Sequence, residues 1–99
     1  MEYKLEKETA LVEAILFLES EPLSEEAISI IGQLSKDVVE IALENLKERY
    51  SSDACGFELT QITGGWILTP KKDLWNFLKE KYGKKTKESF QNLLWKLYQ

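Results

Sequence analysis

The chain contains no histidine, one cysteine, two prolines and five glycines in 99 residues. Lacking histidine, it lacks the commonest general base and metal ligand. A lone cysteine, Cys55, excludes an intrachain disulfide and suits a reducing compartment. With no second thiol or imidazole to assist it, Cys55 reads as an ordinary small residue near a strand start. Long apolar runs are missing too. The longest, Ala10 to Leu18, is interrupted by Glu13 and falls short of the roughly 18 residues that a bilayer span needs. It has neither a basic lead nor a cleavage site, so a signal peptide is not expected. No glycine-rich phosphate loop is present, because Gly64-Gly65 has no lysine following at the required spacing. The carboxylate pairs Glu40/Glu44 and Glu44/Glu48 read as a solvated helix face, with no apolar surround to raise a pKa. Asp53 stands alone in its loop, where a hard cation would want several oxygen ligands. These absences together predict a chain with no catalytic residue, no cofactor and no metal.

What is present is an ordinary globular composition, 43% apolar and 30% charged with eleven aromatics, long enough for one core. Charge is distributed unevenly. Residues 1–69 hold 14 acidic and 5 basic side chains, whereas residues 70–99 hold 8 basic and 3 acidic, for a net of −4. Lys4 to Ser20 reads as a helix, with Leu11, Val12, Ile15, Leu16 and Leu18 on a broad apolar stripe. Glu21-Pro22 stops it. Ser24 caps a short second helix, whose apolar positions are Ala27, Ile28, Ile30 and Ile31 and which Gly32 ends. Ser35 caps a third, Lys36 to about Tyr50, with Val39, Ala42, Leu43, Leu46 and Tyr50 on a single face.

The segments Phe57–Thr63 and Trp66–Thr69 are β-branched and aromatic, and Gly64-Gly65 between them offers positive φ for a tight turn, so a hairpin is predicted. Pro70 opens a fourth helix with Leu74, Phe77, Leu78 and Tyr82 inward, ended by Gly83. Thr86 caps a last one, striped by Phe90, Leu93, Leu94 and Leu97. The expected fold is mostly α with a small antiparallel β-hairpin: a winged helix, meaning a helix-turn-helix plus a wing.

Several short strings carry a family resemblance. They are Glu13-Ala14-Ile15-Leu16-Phe17, Glu21-Pro22-Leu23-Ser24, Gly56-Phe57-Glu58-Leu59 and Gly64-Gly65-Trp66. Each is common alone, but their order and spacing over residues 11–69 resemble the segregation and condensation protein B family of bacteria. That resemblance implies two winged-helix domains in tandem, with residues 1–83 as the first. Residues 84–99 would be a linker and the first helix of the second. It further implies a non-catalytic, cytoplasmic, nucleoid-associated homodimer acting in chromosome condensation and segregation. Its partner would be a kleisin, segregation and condensation protein A, which bridges the heads of a structural-maintenance-of-chromosomes ATPase. DNA would be met only indirectly, and no membrane is involved.

The rival reading is a winged-helix transcriptional regulator. A helix that enters the major groove needs cations and amides. The third helix offers Lys36, Lys47 and Arg49 against Asp37, Glu40, Glu44 and Glu48, a net of −1, and the turn at Thr63-Gly64-Gly65 carries no cation. Carboxylates facing a polyanion repel it. Lys79, Lys81, Lys84, Lys85 and Lys87 are the remaining argument for nucleic acid, as a solvated linker or a weak auxiliary contact. For protein binding, Ala10, Ala14 and Phe17 fall at i, i+4 and i+7 on their own flank of the first helix. They either pack beneath the wing or the C-terminal helices, or admit a partner helix closely while Phe17 fills its pocket. Trp66, Trp75 and Trp95 are each core residues or interface anchors.

Overall fold

The computed structural model describes residues 5–82. Four helices, α1 (Glu6–Leu18), α2 (Glu25–Gly32), α3 (Lys36–Arg49) and α4 (Lys72–Tyr82), enclose a hairpin of β1 (Phe57–Ile62) and β2 (Gly65–Pro70) inserted between α3 and α4. The predicted helix at Thr86 and the segment 84–99 lie outside the described residues.

Both serine caps form. The Ala27 amide donates to Ser24 Oγ at 3.1 Å, and the Val38 amide donates to Ser35 Oγ at 3.3 Å. Each satisfies one of the orphan donors at a helix start. The apolar stripe of α3 is buried throughout, and Val39, Ala42, Leu43, Leu46 and Tyr50 form one cluster with Val12, Leu16, Ile28 and Trp66. The core therefore lies where α1, α2 and α3 converge under β2.

The boundaries depart from the periodicity in three places. α1 ends at Leu18, two residues early, and Glu19 is already extended. The chain then runs to the wing, where Leu23 exchanges both backbone hydrogen bonds with Trp66, at 2.7 and 2.9 Å. The linker after α1 thus acts as a one-residue third strand beside β2. Gly32 does not terminate α2 from outside but is its last helical residue, and Gln33 takes the left-handed conformation at φ 55°. A Cβ on Gly32 would lie 3.3 Å from both Ile15 Cδ1 and Leu34 Cδ1, so this glycine serves packing. Pro70 is the last residue of β2, paired with Phe57, rather than the first of α4. With no amide hydrogen to donate it is tolerated at a strand end.

The hairpin turn sits one residue earlier than the glycine pair suggests. Thr63 (φ 49°) and Gly64 (φ 78°) carry the positive φ angles of a two-residue turn. Gly65 opens β2 opposite Ile62. Its role is close approach, since a Cβ there would lie 2.7 Å from Pro22 Cβ and 3.0 Å from the Pro22 carbonyl carbon. Gly65→Ala therefore forces the linker off β2 and should lower stability by about 1–3 kcal/mol in a urea melt. Nothing lies within 4 Å of the corresponding point on Gly64, so Gly64→Ala should cost only its backbone strain, about 1–2 kcal/mol, and should leave the Pro22 contact intact.

Candidate partner-binding surface

α1 buries Thr9, Val12, Ile15 and Leu16 on its inner side. At about 100° per residue, Ala10, Ala14 and Phe17 then point the opposite way, and all three are exposed, Phe17 by 74%. The wing does not cover them, and the helix expected after Thr86, the other cover that the sequence offers them, lies outside the described residues. With Glu13, Tyr50, Phe57 and Leu68 they line an open, mainly apolar groove of about 470 Å³. Its far wall joins the end of α3 to the hairpin, where the Tyr50 and Phe57 rings meet edge to face with centroids 6.5 Å apart.

Glu13 is the one carboxylate lining this groove, and two groups hold it, one from the last residue of α3 and one from the residue that caps it. The Tyr50 hydroxyl donates to Glu13 Oε2, and Arg49 Nη1 lies 3.3 Å from Oε1. Burial, reinforced by this bond to a carboxylate, pushes the Tyr50 phenol well above its ordinary value. The flank is thus apolar with its single charge neutralised, which favours contact with another apolar surface.

The face of α3 that would read DNA has a different character. Lys36 pairs with Glu26 at 2.8 Å, Lys47 lies 3.5 Å from Glu44 and Arg49 is taken by Glu13. Lys47 also sits 4.6 Å above the Trp66 ring. The Glu26 pair raises the Lys36 pKa and lowers that of Glu26. All three cations of α3 are engaged within the domain, while Asp37, Glu40, Glu44 and Glu48 are exposed. On α4, Lys79 is half-buried and Lys81 exposed. Lys84, Lys85 and Lys87 lie outside the described residues, as does Trp95.

Two of the candidate anchors are interior. Trp66 is 8% exposed and belongs to the main core cluster, and Trp75 is 3% exposed. The expected inner face of α4 is likewise rotated, because Trp75 is buried while Leu74 and Phe77 are exposed. Indole, the largest side chain of the helix, displaces the smaller stripe beside it. Sequence reasoning missed Tyr50, Phe57 and Leu68 as groove walls. Only the pairing of α3's end with the hairpin brings them beside α1, and no local pattern encodes that meeting. Among the described residues no group of three potential metal ligands occurs, and no helix is long and apolar enough to cross a membrane.

A helix-turn-helix followed by a two-stranded wing, with the linker after α1 pairing to the wing, defines a winged-helix domain. Its sequence matches the family of the Segregation and condensation complex subunit ScpB over residues 10–96. The chain belongs to that family. Among solved structures it is similar to a dimer of the ScpB N-terminal domain complexed with an ScpA peptide, with 28% identity and a TM-score of 0.70. That match covers 80% of this chain and 92% of the other. The fold also matches ScpB from Mycobacterium tuberculosis (17% identity, TM-score 0.71) and a conserved hypothetical protein from Chlorobium tepidum (16%, 0.66). These matches cover 88% and 93% of this chain, which spans 56% of each of those two. A search of curated protein sequences returns no match.

Proposed function

We propose that the chain is a non-catalytic subunit of a bacterial condensin-like complex. It homodimerises through the outer face of α1 and binds the ScpA kleisin, which bridges the heads of a structural-maintenance-of-chromosomes ATPase. It works in the cytoplasm at the nucleoid and meets DNA only through the complex, while residues 84–99 open a second winged-helix domain. The observation that carries this reading is the exposed Ala10–Ala14–Phe17 flank beside its apolar groove. A soluble domain has no use for such a surface unless it is covered. A self-complementary patch of small residues beside one aromatic suits a two-fold contact. Family membership and likeness to the ScpB N-terminal domain dimer support the partners. The absence of histidine and of any phosphate loop supports a role without chemistry.

Light scattering during size exclusion tests the assembly. The chain alone should have twice its monomer mass, and added ScpA should co-elute with it as a heavier species. A monomer that ignores ScpA would reject the proposal.

A further inference from the structure

α4 leaves one side uncovered. Trp75 is buried and Leu78 half-buried, whereas Leu74 is 45% and Phe77 74% exposed. Leu74, Phe77 and Lys81 stand at i, i+3 and i+7, so they share one side of the helix, well round from Trp75. Lys81, in the last turn, is exposed as well.

Two apolar side chains make too small a patch for a separate protein, since a stable interface buries about 800 Å² on each partner. A tethered partner needs far less, because the tether makes its binding intramolecular. The chain supplies one. Residues 83–85 lead from α4 to Thr86, where the sequence predicts a further helix, outside the described residues but within the family match, which runs to residue 96. A connection that short sets consecutive helices side by side and antiparallel.

The predicted helix has a side to offer. Its stripe of Phe90, Leu93, Leu94 and Leu97 is what a second winged-helix domain would use for its own core. At about 100° per residue, Glu88 and Trp95 fall together on the opposite side. That side is otherwise polar, with Gln91 and Asn92, and an indole there is suited to anchor a contact. Laid antiparallel on α4, the segment comes into register. Leu74 lies eight residues before Tyr82 and Trp95 nine after Thr86, roughly 12 and 14 Å at the helical rise. Trp95 then reaches Leu74 and Phe77, while Glu88 arrives beside Lys81 near the connection.

We infer that the outer face of α4 is an intrachain docking site for the Trp95 side of the following segment, with Trp95 on Leu74 and Phe77 and Glu88 paired with Lys81. The contact fixes the angle between the first domain and the second. The inference rests on the reading that residues 84–99 open a second winged-helix domain, since only then is the stripe already used.

Nuclear Overhauser spectra of the whole chain read this contact without any substitution. Cross-peaks are expected from the Trp95 indole to the Leu74 methyls and the Phe77 ring. Hydrogen exchange reads it again through variants. Trp95→Ser should speed exchange at the amides of residues 77–81 about tenfold, leaving the helices of the core as protected as in wild type, and Trp95→Phe should restore most of the loss. Glu88→Lys should speed the same amides at low salt, and adding Lys81→Glu should slow them again. Exchange along α4 that Trp95→Ser leaves unmoved overturns the inference while the two-domain reading stands. Cross-peaks from Leu74 and Phe77 to Phe90, Leu93 or Leu94 overturn both, because the stripe would then be spent on α4 and not on a second core.

Discussion

Trp66→Ala should destabilise the folded domain by about 3–5 kcal/mol, the range for truncating a buried aromatic. The indole is 8% exposed, and its cluster includes residues from all three helices of the helix-turn-helix core. Shrinking it to a methyl leaves a cavity in the cluster it shares with Val12, Leu16, Ile28 and Leu46, which are themselves buried and have little room to collapse. The Lys47 ammonium, 4.6 Å above the ring, loses its partner too, adding about 0.5–1 kcal/mol at such an exposed site. Backbone pairing of residue 66 with Leu23 survives, because it involves no side-chain atom. Domains of this size have about 5–15 kcal/mol to lose, so the variant should melt roughly 15 °C or more below wild type. A drop of only a few degrees would mean that Trp66 is not the keystone that the packing makes it. Trp66→Phe should recover much of the loss.

Phe17→Glu should have the opposite profile, with little effect on the fold and a large one on assembly. Phe17 is 74% exposed and absent from the core, so monomer stability should stay within about 0.5 kcal/mol of wild type. In a two-fold contact every substitution acts twice. Two carboxylates would enter an apolar seam whose one native carboxylate on each copy, Glu13, is already neutralised. Weakening by about a hundredfold or more follows from a cost of about 1.4 kcal/mol or more per copy. In light scattering the variant should run as a monomer at concentrations where wild type is a dimer. An unchanged dimer would remove α1's outer face from the contact.

These two residues also show where sequence patterns suffice and where they stop. The third helix reads correctly end to end, because its cap and single apolar face are local features that tertiary packing had no reason to override. The hairpin is equally legible in kind. Its turn is displaced by one residue, because Gly65 is required for contact with Pro22, some forty residues earlier in the chain. Periodicity alone is right only in part on α1 and α2, where Val12, Ile15, Leu16 and Ile28 are buried as expected. Leu11, Leu18, Ile30 and Ile31 look like core and are exposed, since apolar character records the need for cover without saying which chain supplies it. α4 fails differently: one tryptophan turns the helix by a position. The groove was half visible, as the spacing of Ala10, Ala14 and Phe17. Tyr50, Phe57 and Leu68 enter it only through the tertiary fold.

The acidity of α3 links these observations to function. In a winged helix that reads DNA, the element after the turn supplies cations to phosphates and bases. Here each cation of that helix is engaged with a carboxylate of its own domain, and the apolar surfaces lie elsewhere, on α1 and α2.

A preference for protein over DNA follows from these surfaces, and fluorescence anisotropy at low salt measures that preference directly. Labelled ScpA and a labelled duplex are titrated with the chain in the same buffer. Saturable binding of ScpA, with no rise for the duplex over the same concentration range, is the predicted result. Salt-sensitive saturation of the duplex with no response from ScpA would contradict the account.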